Sequence, residues 1–128
     1  MEIKQKVLYC VEEIDIIKPT ENIYFDIELP NWFELFGISY YSNGLTYDKL
    51  KKMRECLSIL LINDHTSDTI PLCLLPMGNT YFELKLNPEN IKIYLKTSET
   101  LLLNINFMVL LHGGTLKKEY EYVFQNKI

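Results

Sequence analysis

The sequence predicts a mainly all-β domain, an antiparallel β-sandwich of about eight or nine strands, jelly-roll-like, with one short helix near residues 47–56. Three observations carry this expectation. Apolar residues recur with a period of two along most of the chain; turn residues separate the alternating runs about every dozen residues; and alanine, the best helix former, is absent, while isoleucine and tyrosine are abundant. A closed antiparallel barrel is the alternative with the same number of strands.

The organising stretch is residues 100–112. Leu101, Leu103, Ile105, Phe107, Val109 and Leu111 fall on one face of a strand, and Leu102, Asn104, Asn106, Met108, Leu110 and His112 on the other. Burying the first, wholly apolar face contributes roughly 9 to 18 kcal/mol as an upper estimate, so it must lie against another layer.

From the N-terminus, Val7, Tyr9 and Val11 alternate and then resume out of phase as Ile14 and Ile16, which predicts one strand bent by a bulge at Glu12 and Glu13. Pro19 to Asn22 make a turn. Ile23, Phe25, Ile27 and Leu29 then oppose Tyr24, Asp26 and Glu28 in a half-buried strand. An aromatic strand follows from Trp32, and Asn43-Gly44 is a two-residue hairpin signal. A helix over 47–56 is preferred after it, with Thr46 as cap, Asp48 in the first turn, and Tyr47, Leu50 and Met53 on one face.

Leu57 to Ile62 is expected to be a strand buried on both faces. Pro71 places the alternation of Ile70, Leu72 and Leu74 at a sheet edge. Pro76 to Asn79 turn the chain into Phe82, Leu84 and Leu86, and Asn87 to Asn90 turn it into Ile91, Ile93 and Leu95. After the long strand, His112-Gly113-Gly114 reads as a turn leading to a last strand with Tyr120, Tyr122 and Phe124. No linker or repeat interrupts residues 1–128, so a single domain is expected.

Composition narrows the function classes. A net charge of −4 with Arg54 the only arginine argues against a nucleic-acid surface. The apolar runs are too short for a membrane-spanning helix. Glu2, Lys4 and Lys6 interrupt the position of a signal peptide, so the cytoplasm of the producing cell is the expected location, or the virion if the protein is viral. Cys10, Cys56 and Cys73 are odd in number and widely spaced, which predicts buried, reduced thiols rather than disulfides or a zinc knuckle. The abundance of residues with A/T-rich codons points to an A/T-rich genome, such as that of a low-GC bacterium, its phage or some eukaryotic viruses.

No catalytic, metal or cofactor site is predicted, and no small-molecule ligand. The two histidines, His65 and His112, are too few for a double-stranded β-helix metal enzyme. Asn63 to Asp68 reads as a solvated turn rather than a calcium loop, and no G-x-S-x-G elbow accompanies the glycine pair. The unexplained residues are apolar. Trp32, Phe36 and Tyr40 should lie on one side of their strand and Phe33 and Tyr41 on the other, too many for one core to cover. Leu102, Met108 and Leu110 with Asn104 and Asn106 form a mixed face suited to a partly wet contact.

These ten residues are the candidate interface. The expected function is a non-enzymatic structural or assembly protein that associates with itself or with other protein subunits, a phage or viral virion component being one form. A binding module offering its aromatics to a sugar or peptide is the second expectation, and an enzyme is third.

Overall fold

The long alternating stretch forms the centre of the larger layer. The computed structural model describes residues 5–30, 33–64, 66–84 and 91–115. They form strands β1 (Gln5–Ile17), β2 (Ile23–Phe25) and β3 (Phe33–Ser42), helix α1 (Tyr47–Cys56), then β4 (Leu57–Ile62), β5 (Ser67–Pro71), β6 (Phe82–Glu83), β7 (Lys92–Thr97) and β8 (Leu101–Thr115), with a 3-10 turn at Leu72–Leu74.

Two four-stranded antiparallel sheets result, ordered β1-β8-β3-β6 and β2-β7-β4-β5. β1 pairs with β8, β2 with β7, β3 with β6 and β4 with β5, so the two halves of the chain match in reverse order and wrap across both layers. That winding is the jelly roll. The sheets stay separate among the described residues, so the barrel alternative is set aside.

Period-two patterning put the predicted face of β8 inward. Leu101, Leu103, Ile105, Phe107, Val109 and Leu111 are all buried against Phe25, Leu57, Ile59, Leu61, Ile93 and Leu95 of the other sheet. Phe107 stands at the centre, 6.1 Å from the ring of Phe25 and stacked on Tyr40 at 5.7 Å.

Helix α1 forms where its capping residues predict. Thr46 Oγ1 accepts the Lys49 N–H at 3.3 Å, Asp48 lies in the first turn and Arg54 in the last, both favourable to the helix dipole. Its inward face is Met53 and Cys56 with half-buried Leu50; Tyr47, placed on that face by spacing, is 78 % exposed. Arg54 fastens the helix to the core. Its guanidinium donates to the buried Tyr40 hydroxyl and to the carbonyl oxygens of Cys73, at 2.9 Å, and Leu75, at 3.4 Å.

Several elements differ from the sequence reading. Asn43-Gly44 makes no hairpin: Gly44 takes φ 74° and the chain enters α1 instead of a second strand. His112, Gly113 and Gly114 lie inside β8, paired to both β1 and β3, and neither glycine has positive φ. Gly113 is needed for close approach, because a Cβ there would lie 2.3 Å from the Glu34 carbonyl oxygen and 2.4 Å from the Phe33 ring. The predicted last strand with Tyr120, Tyr122 and Phe124 lies outside the described residues, as do Leu86 and the turn at 87–90.

The bulge assigned to Glu12 and Glu13 is displaced. Register shifts between Ile14 and Ile16, where Asp15 faces Leu103 and Asn104, so the extra residue belongs to β8. Asn104 takes it up with φ 52°, a conformation that asparagine tolerates better than most residues. β4 is fully buried only through Leu57, Ile59 and Leu61, its other face being half-buried. β5 is an edge strand, as Pro71 requires, but it ends there, and the turn that follows leaves Leu74 exposed.

Candidate functional site

Strand β3 decides which aromatics are available to a partner. Leu35 pairs with Gly113 and Gly37 with His112, so Phe36 is an extra, bulged residue. The bulge reverses the side-chain phase. Phe33 and Tyr40, predicted on opposite sides, both point into the core, at 4 % and 0 % exposure, and they drop out as interface residues. Phe36 is half-buried against Tyr81, with ring centroids 5.2 Å apart. Tyr41 stays on the outer face, and Trp32 lies outside the described residues.

The remaining candidates divide along β8. Leu102, Asn104 and Asn106 are exposed near the bulge, while Met108 and Leu110 are half-buried on the outer face. Register sets Val11 and Tyr41 on either side of Met108, and Tyr9 and Ser39 on either side of Leu110. Val7, Tyr9 and Val11, apolar yet 44 %, 64 % and 46 % exposed, therefore adjoin Met108 and Leu110 in one patch. Sequence reasoning passed over these three. Alternation identified their shared face but not which side of β1 meets the core, because Leu8 and Cys10 on the other side are apolar too.

The β3 side of the same face is covered by the segment after the 3-10 turn. Tyr40 N–H donates to the Pro76 carbonyl oxygen at 3.3 Å and Gly78 N–H to that of Tyr40 at 3.0 Å, and the Tyr81 ring lies over Gly37, 5.0 Å from the ring of His112. Beneath this cover His112 Nε2 and Ser39 Oγ are 2.7 Å apart, and Ser39 Oγ lies 2.8 Å from the Gly78 carbonyl oxygen. That oxygen can only accept, so the serine proton goes to it and the imidazole Nε2–H donates to Oγ. A nucleophilic serine needs the reverse arrangement, with imidazole accepting its proton.

Burial holds the His112 pKa below the ordinary histidine value. The native imidazole is therefore neutral where the unfolded chain, titrating near 6.5, begins to bind a proton. The unfolded state binds more protons below that value, so the His112 contribution to stability should be level above about pH 7 and fall as pH drops through 6.5 toward the folded pKa. Urea midpoints measured from pH 8 to 5 should show this slope, and His112→Gln should remove its His112 share; an unchanged slope in the variant would assign it elsewhere.

The cysteines occupy three environments. Burial, reinforced by Glu12, pushes the Cys10 thiol up to about 11. Cys56 is also raised, first by burial and then by its hydrogen bond to Glu99, which itself pairs with Lys52 at 3.4 Å. Both thiols are therefore protonated at neutral pH and poor nucleophiles. Cys73 is exposed, contrary to the expectation of three buried thiols, because the chain leaves β5 one turn earlier.

Among the described residues, no group of three or more His, Cys, Asp or Glu side chains could hold a metal ion. Asn63 and Thr66 close their turn on each other, Asn63 Oδ1 accepting from Thr66 N–H at 2.7 Å and from Thr66 Oγ1 at 2.9 Å; His65 lies outside the described residues. No protein-family model, no curated protein and no solved structure matches this chain.

Proposed function

We propose that this chain is a non-enzymatic structural or assembly protein, a jelly-roll subunit that packs into a homo-oligomer or larger particle through the outer face of the β1-β8-β3 sheet. The observation that carries the reading is the row Val7, Tyr9 and Val11, exposed beside half-buried Met108 and Leu110 and next to Tyr41. Such a surface is costly to leave in water and suits a protein contact in which tyrosine and methionine are favoured. The Ser39–His112 pair, with its hydroxyl proton directed to a carbonyl, supports a structural role for the only serine–histidine contact found among the described residues.

A phage or viral virion component is the concrete form we favour. The A/T-rich codon bias of the composition and the jelly-roll winding support it, by association rather than by a site.

Light scattering coupled to size exclusion tests the proposal. The wild-type chain should elute as a multiple of 15.1 kDa, and Met108→Asp, placing a charge at the centre of the face, should shift it to the monomer with an unchanged circular dichroism spectrum. A wild-type monomer at every concentration would overturn the reading and leave the outer tyrosines as a platform for a sugar or peptide.

A further inference from the structure

Residues 76–81 run over the outer face at β3 and meet it in a parallel bridge between Tyr40 and Met77. Both ends of the segment are pinned. Leu75 is buried before it, and after it Phe82 and Glu83 pair with β3 while Leu84 N–H donates to the Phe36 carbonyl oxygen at 2.8 Å. The middle has little apolar burial of its own, since Met77, Asn79, Thr80 and Tyr81 are exposed and Pro76 and Gly78 half-buried. Its seat is polar and shaped. Gly37 leaves the space that the Tyr81 ring fills, Ser39 directs its proton to the Gly78 carbonyl oxygen, and His112 donates to Ser39 from beneath. Gly78 takes φ 94°, a conformation open to glycine, which lets its N–H reach the Tyr40 carbonyl oxygen while its own carbonyl reaches Ser39. The imidazole of His112 is 5 % exposed although it belongs to the outer face. Its cover comes from this segment, because in the same row β1 presents Val7, 44 % exposed, and β3 presents Gly37, which has no side chain.

We infer that residues 76–81 are an acid-released strap, which opens on protonation of His112 and uncovers the β3 half of the outer face. In the closed form Nε2–H already donates to Ser39, so an added proton goes to Nδ1 and leaves a charged ring beneath Tyr81, withdrawn from water. Lifting the strap admits water to that ring. The open form therefore binds the proton more tightly than the closed form, and acid shifts the equilibrium toward it. Neighbouring charges do not reverse the sign. Glu83 of β6, opposite Gly37, and Glu34 of β3, opposite Gly114, are exposed to water; β1 places exposed Tyr9 one row away and Lys6 on its other face; Tyr81 is the titratable side chain of the strap. Burial is what holds the His112 pKa down. The device needs one chain, so it stands whether or not the outer face joins copies.

Hydrogen exchange and histidine titration by NMR test this. The Tyr40 and Gly78 amides, bonded across the strap contact, should be less protected than those of Phe107 and Val109 in β8, and their protection factors should fall about five- to tenfold between pH 7.5 and 5.5. His112→Gln should flatten that dependence. Coupling is reciprocal, so loosening the strap must raise the pKa of the ring. Tyr81→Ala, which removes the cover, and Gly78→Ala, which strains the left-handed turn, should each move the His112 titration up toward 6.5, with His112→Gln identifying its resonance. Strap amides as strongly protected as those of β8, a pH dependence retained in His112→Gln, or a His112 titration unmoved by both alanine variants would overturn the strap.

Discussion

Truncating Phe107 to alanine is expected to cost about 3 to 5 kcal/mol of folding stability, a large share of the roughly 5 to 15 kcal/mol that holds a domain of this kind together. The ring is fully buried and joins the two sheets, contacting Phe25 across the sandwich and stacking on Tyr40 within its own sheet. Removing it leaves a cavity between layers whose separation is fixed by backbone pairing on either side, so little collapse can compensate. The urea midpoint measures the loss, and the melting temperature should fall on the order of 10 °C or more. Phe107→Leu, which keeps most of the volume, should lose much less. A change below about 1 kcal/mol for alanine would mean that the ring does not bridge the layers.

Gly113→Ala should be the next most damaging change, at about 2 to 3 kcal/mol, although it adds one methyl group. The new carbon would stand 2.3 Å from a backbone carbonyl oxygen, that of Glu34, in a strand paired on both sides, and backbone cannot swing away. Gly37 provides the control. A Cβ there would lie 2.2 Å from the ring of Tyr81, a side chain that is 41 % exposed and yields at the cost of its contacts with Phe36 and His112, whereas a paired backbone carbonyl has no such freedom. Denaturant titration of the two variants should therefore rank Gly113→Ala well above Gly37→Ala. Equal, small effects would indicate that Gly113 occupies a turn, as its pairing with Gly114 suggests from sequence.

These two glycines mark where sequence reading stops. His112-Gly113-Gly114 looks the same whether glycine serves a left-handed turn or makes room for a neighbour, and the neighbour here is Phe33, eighty positions earlier in the chain. Bulges misled in the same way. One extra residue at Phe36 turned Phe33 and Tyr40 to the same side, and one at Asn104 moved the bend that the changed phase of β1 had suggested at Glu12 and Glu13. An extra residue is extra only relative to its partner strand, so no local pattern defines it.

The chain by itself determined what depends on near neighbours: the inward face of β8 through strict alternation, the helix at 47–56 through Thr46 and Asp48, and the edge position of β5 through Pro71. Tertiary structure alone decided which of two apolar sides of β1 faces outward, which aromatics were left for a partner, and that Ser39 meets His112. The physical reason is that periodicity divides a strand into two faces but does not say which is inside. Only the opposing layer, assembled from distant segments, withdraws one face from water and leaves the other.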